Sequence, residues 1–201
     1  MDVDPAIAPH PPENSPENSP EAPPEEQFLQ ISLPGELPLL LPGANLVEIM
    51  KLAIGQVVPM FEMAPWVMGI YNWRGDMLWI ADLGHFLGLT PWYNQAAAAT
   101  RHTVVVIRPP FAATPLTDEP PPTLGLVVSA VEAMVTYPAA RQPVPDPLAL
   151  PPGLRPFVAD CCPDAAGQPQ PILEATALLA AMASSHSEPP VSSSPGLSVS
   201  P

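Results

Sequence analysis

Proline and glycine cut the apolar stretches of this chain into short segments, and this constrains the fold more than any other feature. The chain has 34 prolines in 201 residues. A proline inside a helix removes a hydrogen bond and clashes with the preceding turn. Apolar runs end at Pro42-Gly43, Pro59 and Pro65, so none reaches the roughly 18 uninterrupted residues of a membrane-spanning helix. Segments this short are typical of β-strands joined by turns.

Nine or ten such strands are predicted, with few helices. Phe28–Leu33 and Leu37–Leu41 flank Pro34-Gly35 and predict a hairpin. The next segment is ambiguous, because Asn45 could cap a helical turn with Glu48 as its capping-box partner. The other strand candidates are QVVPM, WVMGIY, MLWI (Met77–Ile80), HTVVVI (His102–Ile107), LGLVV, VEAMVTY, LRPFVADCC and QPILEA, whereas EATALLAAM has the spacing of a helix.

Without connecting helices these strands cannot form parallel βαβ units. The pattern therefore predicts an all-β fold, either small barrels or a sandwich. Two similar halves are expected to meet near residues 90–102.

Charge and proline content set the two ends apart from the rest. Seven of the twenty acids lie in residues 1–26, no Lys or Arg precedes Lys51, and ENSPENSPE is a short tandem repeat. Residues 1–26 and 184–201 lack an apolar period, so we expect both tails to be disordered around one domain at 27–183. The net charge of −14 argues against nucleic acid and against a polybasic membrane contact. The start lacks a secretory pattern, which favours the cytoplasm.

Candidates for catalysis or metal binding are few. Cys161 and Cys162 are adjacent, which suits neither a disulfide framework nor a zinc site, so we interpret them as reduced thiols. We interpret His85 as a structural histidine, and no two histidines have the sequence spacing of metal ligands. We therefore expect no enzymatic activity, no cofactor and no metal.

Ala64–Leu89 is an apolar stretch with polar residues in its middle. Gly75 can take a positive φ and so form a tight turn between two strands. Asn72 is placed to bond backbone groups at that turn, and Asp82 can cap a short helix that Gly88 closes.

The same stretch resembles the core signature of CheW-like domains. In that family an apolar strand with an internal glycine leads to an Asn-x-Arg-Gly turn, a second apolar strand, and an Asp-Leu that opens a short helix ending in Leu-Gly. The matching elements here are Pro59, Pro65, Gly69, Asn72-Trp73-Arg74-Gly75, Met77–Ile80, Asp82-Leu83 and Leu87-Gly88. LGLVVSAVEAM and GQPQPILEATALL resemble later family segments, with Ser129 and Glu174 at positions where the family usually has an acid and Asp, respectively.

The resemblance implies two five-stranded, SH3-like barrels packed together with short helices and no active site. It also implies a scaffold that couples chemoreceptors to a CheA-type histidine kinase, recruited to receptor arrays without inserting into the membrane. The expected partners are that kinase and the receptor's helical tip.

Four residues are the candidates for partner binding: Val67, Tyr71, Trp73 and Arg74. If Trp66, Met68 and Ile70 fill a barrel, the alternate side chains Val67 and Tyr71 must be covered by the other subdomain or by another protein. Arg74 is either a solvated turn residue paired with Asp76 or Asp82, or an interface anchor beside Trp73. Gly69, Asn72, Gly75 and Asp82 are expected to support this surface.

Two other functions stay open. Cys161-Cys162 could form a thiol-based redox sensor, and small barrels with aromatic residues could bind another partner, such as a proline-rich ligand. The chain lacks the clustered tyrosines typical of proline-rich-ligand grooves.

Overall fold

The computed structural model describes residues 24–95, 100–110 and 121–184. Within them lie eleven strands and two α-helices, so the all-β prediction is confirmed. The strands are β1 (Glu25–Leu33), β2 (Leu37–Pro42), β3 (Leu46–Ala53), β4 (Val67–Trp73), β5 (Asp76–Asp82), β6 (Arg101–Ile107), β7 (Leu124–Val128), β8 (Ala130–Pro138), β9 (Gln142–Pro143), β10 (Val158–Pro163) and β11 (Pro169–Leu173), and the helices are α1 (Leu83–Phe86) and α2 (Ala175–Ser184).

The strands form two sheets. The first sheet has the order β8-β1-β2-β11-β10-β9, and the second has the order β3-β6-β7-β5-β4. Neighbours are antiparallel except for two parallel pairs, β5 with β7 and β2 with β11. The predicted β1–β2 hairpin forms with Leu33 paired to Leu37. The first sheet has six strands rather than the expected five because the two-residue β9 adds to its edge.

The expected junction near residues 90–102 is wrong. β6 and β7 follow that point in the chain, yet they lie in the middle of the second sheet. The first hairpin, β1 with β2, instead joins the C-terminal strands. Turn signals along the sequence mark where strands end, but pairing between strands far apart in the chain decides which sheet each strand enters.

Three buried clusters hold the sheets together. One fills the second sheet's curved interior around Ile80, Val104 and Val106. Another, around Phe28 and Ile172, lies against the first sheet. The largest cluster lies between the sheets and also takes in both helices.

The apolar residues of β6 stand at successive positions and do not alternate with polar ones. Val104 and Val106 face the interior of the second sheet, whereas Val105 and Ile107 face the core between the sheets. All four side chains are fully buried, so both faces of the strand need apolar residues.

The N-terminal boundary of the ordered domain is also corrected. Residues 1–26 are predicted to be disordered, but β1 begins at Glu25, and Glu25 and Glu26 pair with Pro138 and Tyr137 of β8. The Glu26 carboxylate accepts two hydrogen bonds from Arg141, each of 2.8 Å, so its charge is paired at the start of the strand. The rest of that tail, and residues 185–201, lie outside the described residues.

The ambiguous segment after Pro42 is a strand. Asn45 ends a single 3-10 turn, and β3 begins at the next residue. The buried Asn45 side chain donates to the carbonyl oxygen of Arg108 over 3.0 Å. Asn45 therefore ties β3 to the end of β6 and does not cap a helix.

Candidate functional site

The β4–β5 turn has the geometry that its sequence predicts. Arg74 and Gly75 form the two-residue loop, with φ values of 57° and 97°, and two positive φ angles define a type I′ hairpin turn. The Asn72 side-chain oxygen accepts a hydrogen bond from the Gly75 amide over 3.2 Å. The turn is thus held from within, and it presents Arg74 at its tip.

Glu48 of β3 holds the Arg74 turn from the other side. Its Oε2 accepts a 2.9 Å hydrogen bond from Trp73 Nε1 and a 2.7 Å charge-assisted bond from the Arg74 guanidinium. The guanidinium also lies over the Trp73 ring, 5.1 Å from its centroid. We call Glu48, Trp73 and Arg74 the seam triad, because β3 and β4 are the two edges of the second sheet and these contacts join them.

The seam triad leaves the cation accessible. The Arg74 side chain is 68% exposed, whereas that of Glu48 is 32% exposed. Met77, paired with Asn72 across the hairpin, is 79% exposed. The turn therefore combines a fixed guanidinium with an apolar side chain, which are groups that protein interfaces favour.

The predicted faces of β4 are right for Met68 and wrong for Tyr71. The structure packs Met68, Tyr71 and Trp73 against the interior cluster of the second sheet, and Trp66 against the core between the sheets. The reason is an irregularity between Val67 and Gly69, where the pairing with β5 shifts by one residue. A one-residue shift exchanges the faces of a strand.

The four candidate contact residues do not form one surface. Tyr71 and Trp73 are half-buried, because each packs against the interior cluster of its own sheet. Val67 begins β4 and Trp73 ends it, so Val67 lies a full strand away from the Arg74 turn. Arg74 alone among them is largely exposed.

Gly69 supports the site through a close backbone approach. Its φ is +137°, and a Cβ there would lie 2.1 Å from the carbonyl oxygen of Val58. Val58 and Ile70 exchange two backbone hydrogen bonds of 2.8 and 2.9 Å. Only glycine lets the segment before β4 close against that strand.

Asp82 does more than cap α1. Its Oδ1 accepts from the His85 amide over 3.1 Å, as predicted, and its Oδ2 accepts from the Trp92 amide over 2.8 Å. The side chain is 3% exposed. The Trp92 ring packs edge-on against His102 with centroids 5.1 Å apart. Burial lowers the pKa of His102 below its ordinary value, and the nearby Asp82 carboxylate opposes that shift.

An apolar groove lies beside α2. It has a volume of about 270 Å³ and is lined by Trp66, Trp79, Leu124, Leu179 and Met182, with Ala183 at the exposed end. The strands supply one wall and the helix supplies the other. Such a groove suits the apolar face of a helix.

The adjacent cysteines are poorly placed for redox chemistry. Cys161 and Cys162 are free thiols, 2% and 1% exposed. Burial raises the pKa of both thiols, and Asp160 adds to the shift. Redox-sensing cysteines have the opposite character, an accessible thiol with a low pKa.

Two further features concern metals and membranes. No group of three or more His, Cys, Asp or Glu side chains in residues 24–95, 100–110 and 121–184 is arranged to hold a metal ion. In the same ranges, no helix has the length and apolarity needed to cross a membrane.

Sequence reasoning missed Glu48 as the acid that meets Arg74. It predicted Asp76 or Asp82, which are close in sequence, whereas the true partner lies 26 positions away on β3. The available signal was an acid inside the apolar segment LVEIMKLA. Its link to the turn depends on the edges of a sheet meeting, which no local pattern shows.

Comparisons with known proteins agree with this architecture. The family model of the CheW-like domain matches residues 27–183. The crystal structure of the scaffolding protein TtCheW from Thermoanaerobacter tengcongensis is similar, with a TM-score of 0.56 and 17% sequence identity over 74% of this chain and 88% of that one. No curated protein is significantly similar in sequence.

Proposed function

The chain belongs to the CheW-like domain family, and on that premise we propose that it is a non-enzymatic adaptor between chemoreceptors and a CheA-type histidine kinase. It would act in the cytoplasm, at the receptor arrays. The family model spans 27–183, which covers both sheets and both helices except the first two residues of β1 and the last residue of α2. An adaptor needs rigid surfaces with specific side chains for each partner rather than converging catalytic groups. The described residues supply such surfaces.

The observation that carries the proposal is the seam triad. Arg74 is exposed, yet its guanidinium is fixed by Glu48 and by the Trp73 ring. A fixed guanidinium loses less side-chain entropy on binding than a free one. We assign this surface to the kinase, with Met77 as an apolar neighbour that a partner can cover.

We assign the groove beside α2 to the receptor. The cytoplasmic tip of a chemoreceptor is a helical hairpin, and an amphipathic helix can place its apolar side chains in a groove with apolar walls. The Arg74 turn belongs to the second sheet, whereas α2 contributes to the core between the sheets. The two partners would therefore contact different elements of one rigid body.

The mechanism is geometric. The adaptor holds the kinase at a fixed position relative to the receptor, so a conformational change in the receptor alters the free energy difference between kinase states. No covalent step on the adaptor is needed.

The kinase contact is tested with Arg74→Ala and a matched control, Arg108→Ala. Both arginines are exposed, but Arg108 is not part of the turn. We expect Arg74→Ala to weaken binding to the cognate kinase by about 2 kcal/mol, roughly thirtyfold. Its free energy of unfolding should change by less than about 1 kcal/mol. Calorimetric titration and urea denaturation measure the two quantities.

The outcomes separate three roles for Arg74. Weaker binding with unchanged stability supports an interface anchor. Equal losses of binding and stability would make Arg74 structural, and normal binding in both variants would reduce it to a solvated turn residue.

The receptor contact is tested at the end of α2. Ala183 lines the groove and the neighbouring Ser184 does not, and both are exposed. Ala183→Glu places a charge against an apolar partner and should weaken binding to a receptor-tip fragment by about tenfold. Ser184→Glu places the same charge at the next residue, outside the groove, and should change receptor binding little. Equal behaviour of the two variants would argue against the groove.

The redox-sensor alternative has no supporting observation, because both thiols are buried and have raised pKa values. Replacing both cysteines with serine should leave an adaptor functional.

A further inference from the structure

A second cavity lies at the junction of the two sheets, and neither proposed partner surface uses it. Its volume is about 150 Å³, and Pro34 of the β1–β2 turn and Ser129 of the β7–β8 link lie on one side of it. Lys51 of β3 and Arg101, His102 and Thr103 of β6 line it from the second sheet. Its walls are mostly polar.

The cavity gathers positive charge in a strongly acidic chain. The whole sequence has six bases against twenty acids. Arg74 and Arg141 form ion pairs, but Lys51 and Arg101 have no acid partner among the described residues. Lys51 Nζ donates one 2.5 Å hydrogen bond to Thr103 Oγ1, which directs the ammonium group along β6 and leaves two of its donors for another acceptor.

One acid, Asp82, also lines the cavity. Each of its oxygens already accepts a backbone amide hydrogen bond, so part of its charge is balanced within the fold. With Lys51 and Arg101 the lining still carries a net positive charge. The acids Glu36 and Glu132 line a separate neighbouring cavity.

His102 adds an independent observation. The residue is 9% exposed, and its Nε2 atom is buried without a hydrogen-bond partner in the described parts of the chain. A buried polar atom left unpaired costs about 1–3 kcal/mol. This unpaired atom belongs to a residue that lines the cavity beside Lys51 and Arg101, so the lining has hydrogen-bonding capacity that the chain itself does not use.

We propose that this cavity binds one small oxyanion, a phosphate or carboxylate group, held by Lys51 and Arg101 with His102 at its side. Charge-assisted hydrogen bonds from a lysine and an arginine are the usual means of holding such groups. The volume is well below the roughly 300 Å³ at which pockets for drug-sized ligands begin, so a single anionic group fits and a nucleotide does not. The bound anion contacts both subdomains and stabilises their packing.

The test is an NMR titration of the full chain with sodium phosphate, with sodium chloride at matched ionic strength as the reference. The amide signals of Thr103 and Ser129 and the His102 imidazole signals report on the cavity. We expect saturable shifts at these residues with phosphate, at a dissociation constant of about 1 mM, and none with chloride. Sodium acetate forms a second arm that separates a carboxylate from a phosphate site.

Matched variants identify the ligands. Lys51→Gln and Arg101→Gln each remove one exposed cation and should weaken binding by about tenfold, the loss expected for one charge-assisted hydrogen bond. Arg108→Gln removes an exposed arginine just beyond the other end of β6 and should change binding less than about twofold. Thermal denaturation confirms that each variant folds.

The proposal is supported if the shifts saturate with either anion and if Lys51→Gln and Arg101→Gln weaken binding more than Arg108→Gln does. Shifts that grow linearly with both phosphate and acetate, or an equal effect of Arg108→Gln, would overturn it. The outcome does not depend on kinase or receptor binding, so this experiment tests the oxyanion site independently of the adaptor function.

Discussion

Gly69 and Gly75 are both glycines at positive φ in the same hairpin, and replacing each with alanine separates two physical effects. Gly75 has φ +97°, and a methyl group added there would meet nothing within 4 Å, so Gly75→Ala imposes backbone strain alone. Such strain costs about 1–2 kcal/mol for a non-glycine residue.

Gly69→Ala adds a collision to the strain. Its Cβ would lie 2.1 Å from the Val58 oxygen, 2.7 Å from the Val58 carbonyl carbon and 2.9 Å from Pro59 Cα. These are backbone atoms, so no side-chain rotation relieves the overlap. The segment must move away, which breaks the two hydrogen bonds between Val58 and Ile70. At about 1 kcal/mol each, their loss brings the expected cost to about 3–4 kcal/mol.

Urea denaturation of the two variants and the parent chain, followed by tryptophan fluorescence, measures this difference. We expect Gly69→Ala to lose at least about 2 kcal/mol more than Gly75→Ala, with an unchanged dependence on urea. If Gly69→Ala fails to fold at 25 °C, measurements at lower temperature or with added osmolyte still rank the two. Equal losses would refute the reasoning, because they would mean that the Val58 segment does not close against β4.

The remaining predictions concern ionisable groups and chain ends. Glu48→Gln should cost more stability than Arg74→Ala, by about 1 kcal/mol, because Glu48 accepts bonds from two donors; urea denaturation of both variants checks this. His102 has a lowered pKa in the folded chain, so the unfolded chain binds more protons and stability is lost as the pH falls from about 7.5 to about 5.5; His102→Gln should flatten that dependence in urea denaturation at the two pH values. Cys161 and Cys162 should react with a thiol-specific disulfide reagent only slowly until urea unfolds the chain, because both are buried with raised pKa values. A chain that starts at residue 27 should melt at a lower temperature than one that starts at residue 24, since only the longer chain keeps the pairing of Glu26 with Arg141; calorimetric scans of both compare them.

Local chemistry made much of the fold predictable. The Pro34-Gly35 hairpin, the positive φ at Gly75 and the cap from Asp82 to His85 each depend on residues a few positions apart. A turn residue or a cap acts through its own backbone, so its signal survives in the sequence.

The errors share one physical origin. The assignment of β6 and β7, the faces of β4 and the partner of Arg74 all depend on which distant strands meet. The register shift between Val67 and Gly69 exchanges the face of Tyr71, and the spacing of apolar residues cannot reveal it when both faces of a strand are apolar. The resemblance to CheW-like domains identified the fold, but it did not place individual side chains.

The seam triad also explains why an adaptor would build a contact surface on a sheet edge. An unpaired edge invites pairing with other chains, and the hydrogen bonds from Trp73 and Arg74 to Glu48 join the two edges of the second sheet. The same bonds fix the exposed guanidinium. Glu48 is thus expected to serve stability and Arg74 to serve recognition, even though they form one ion pair. A double-mutant cycle of Glu48→Gln and Arg74→Ala should then show coupling in kinase binding, because Glu48 orients the arginine that the kinase contacts.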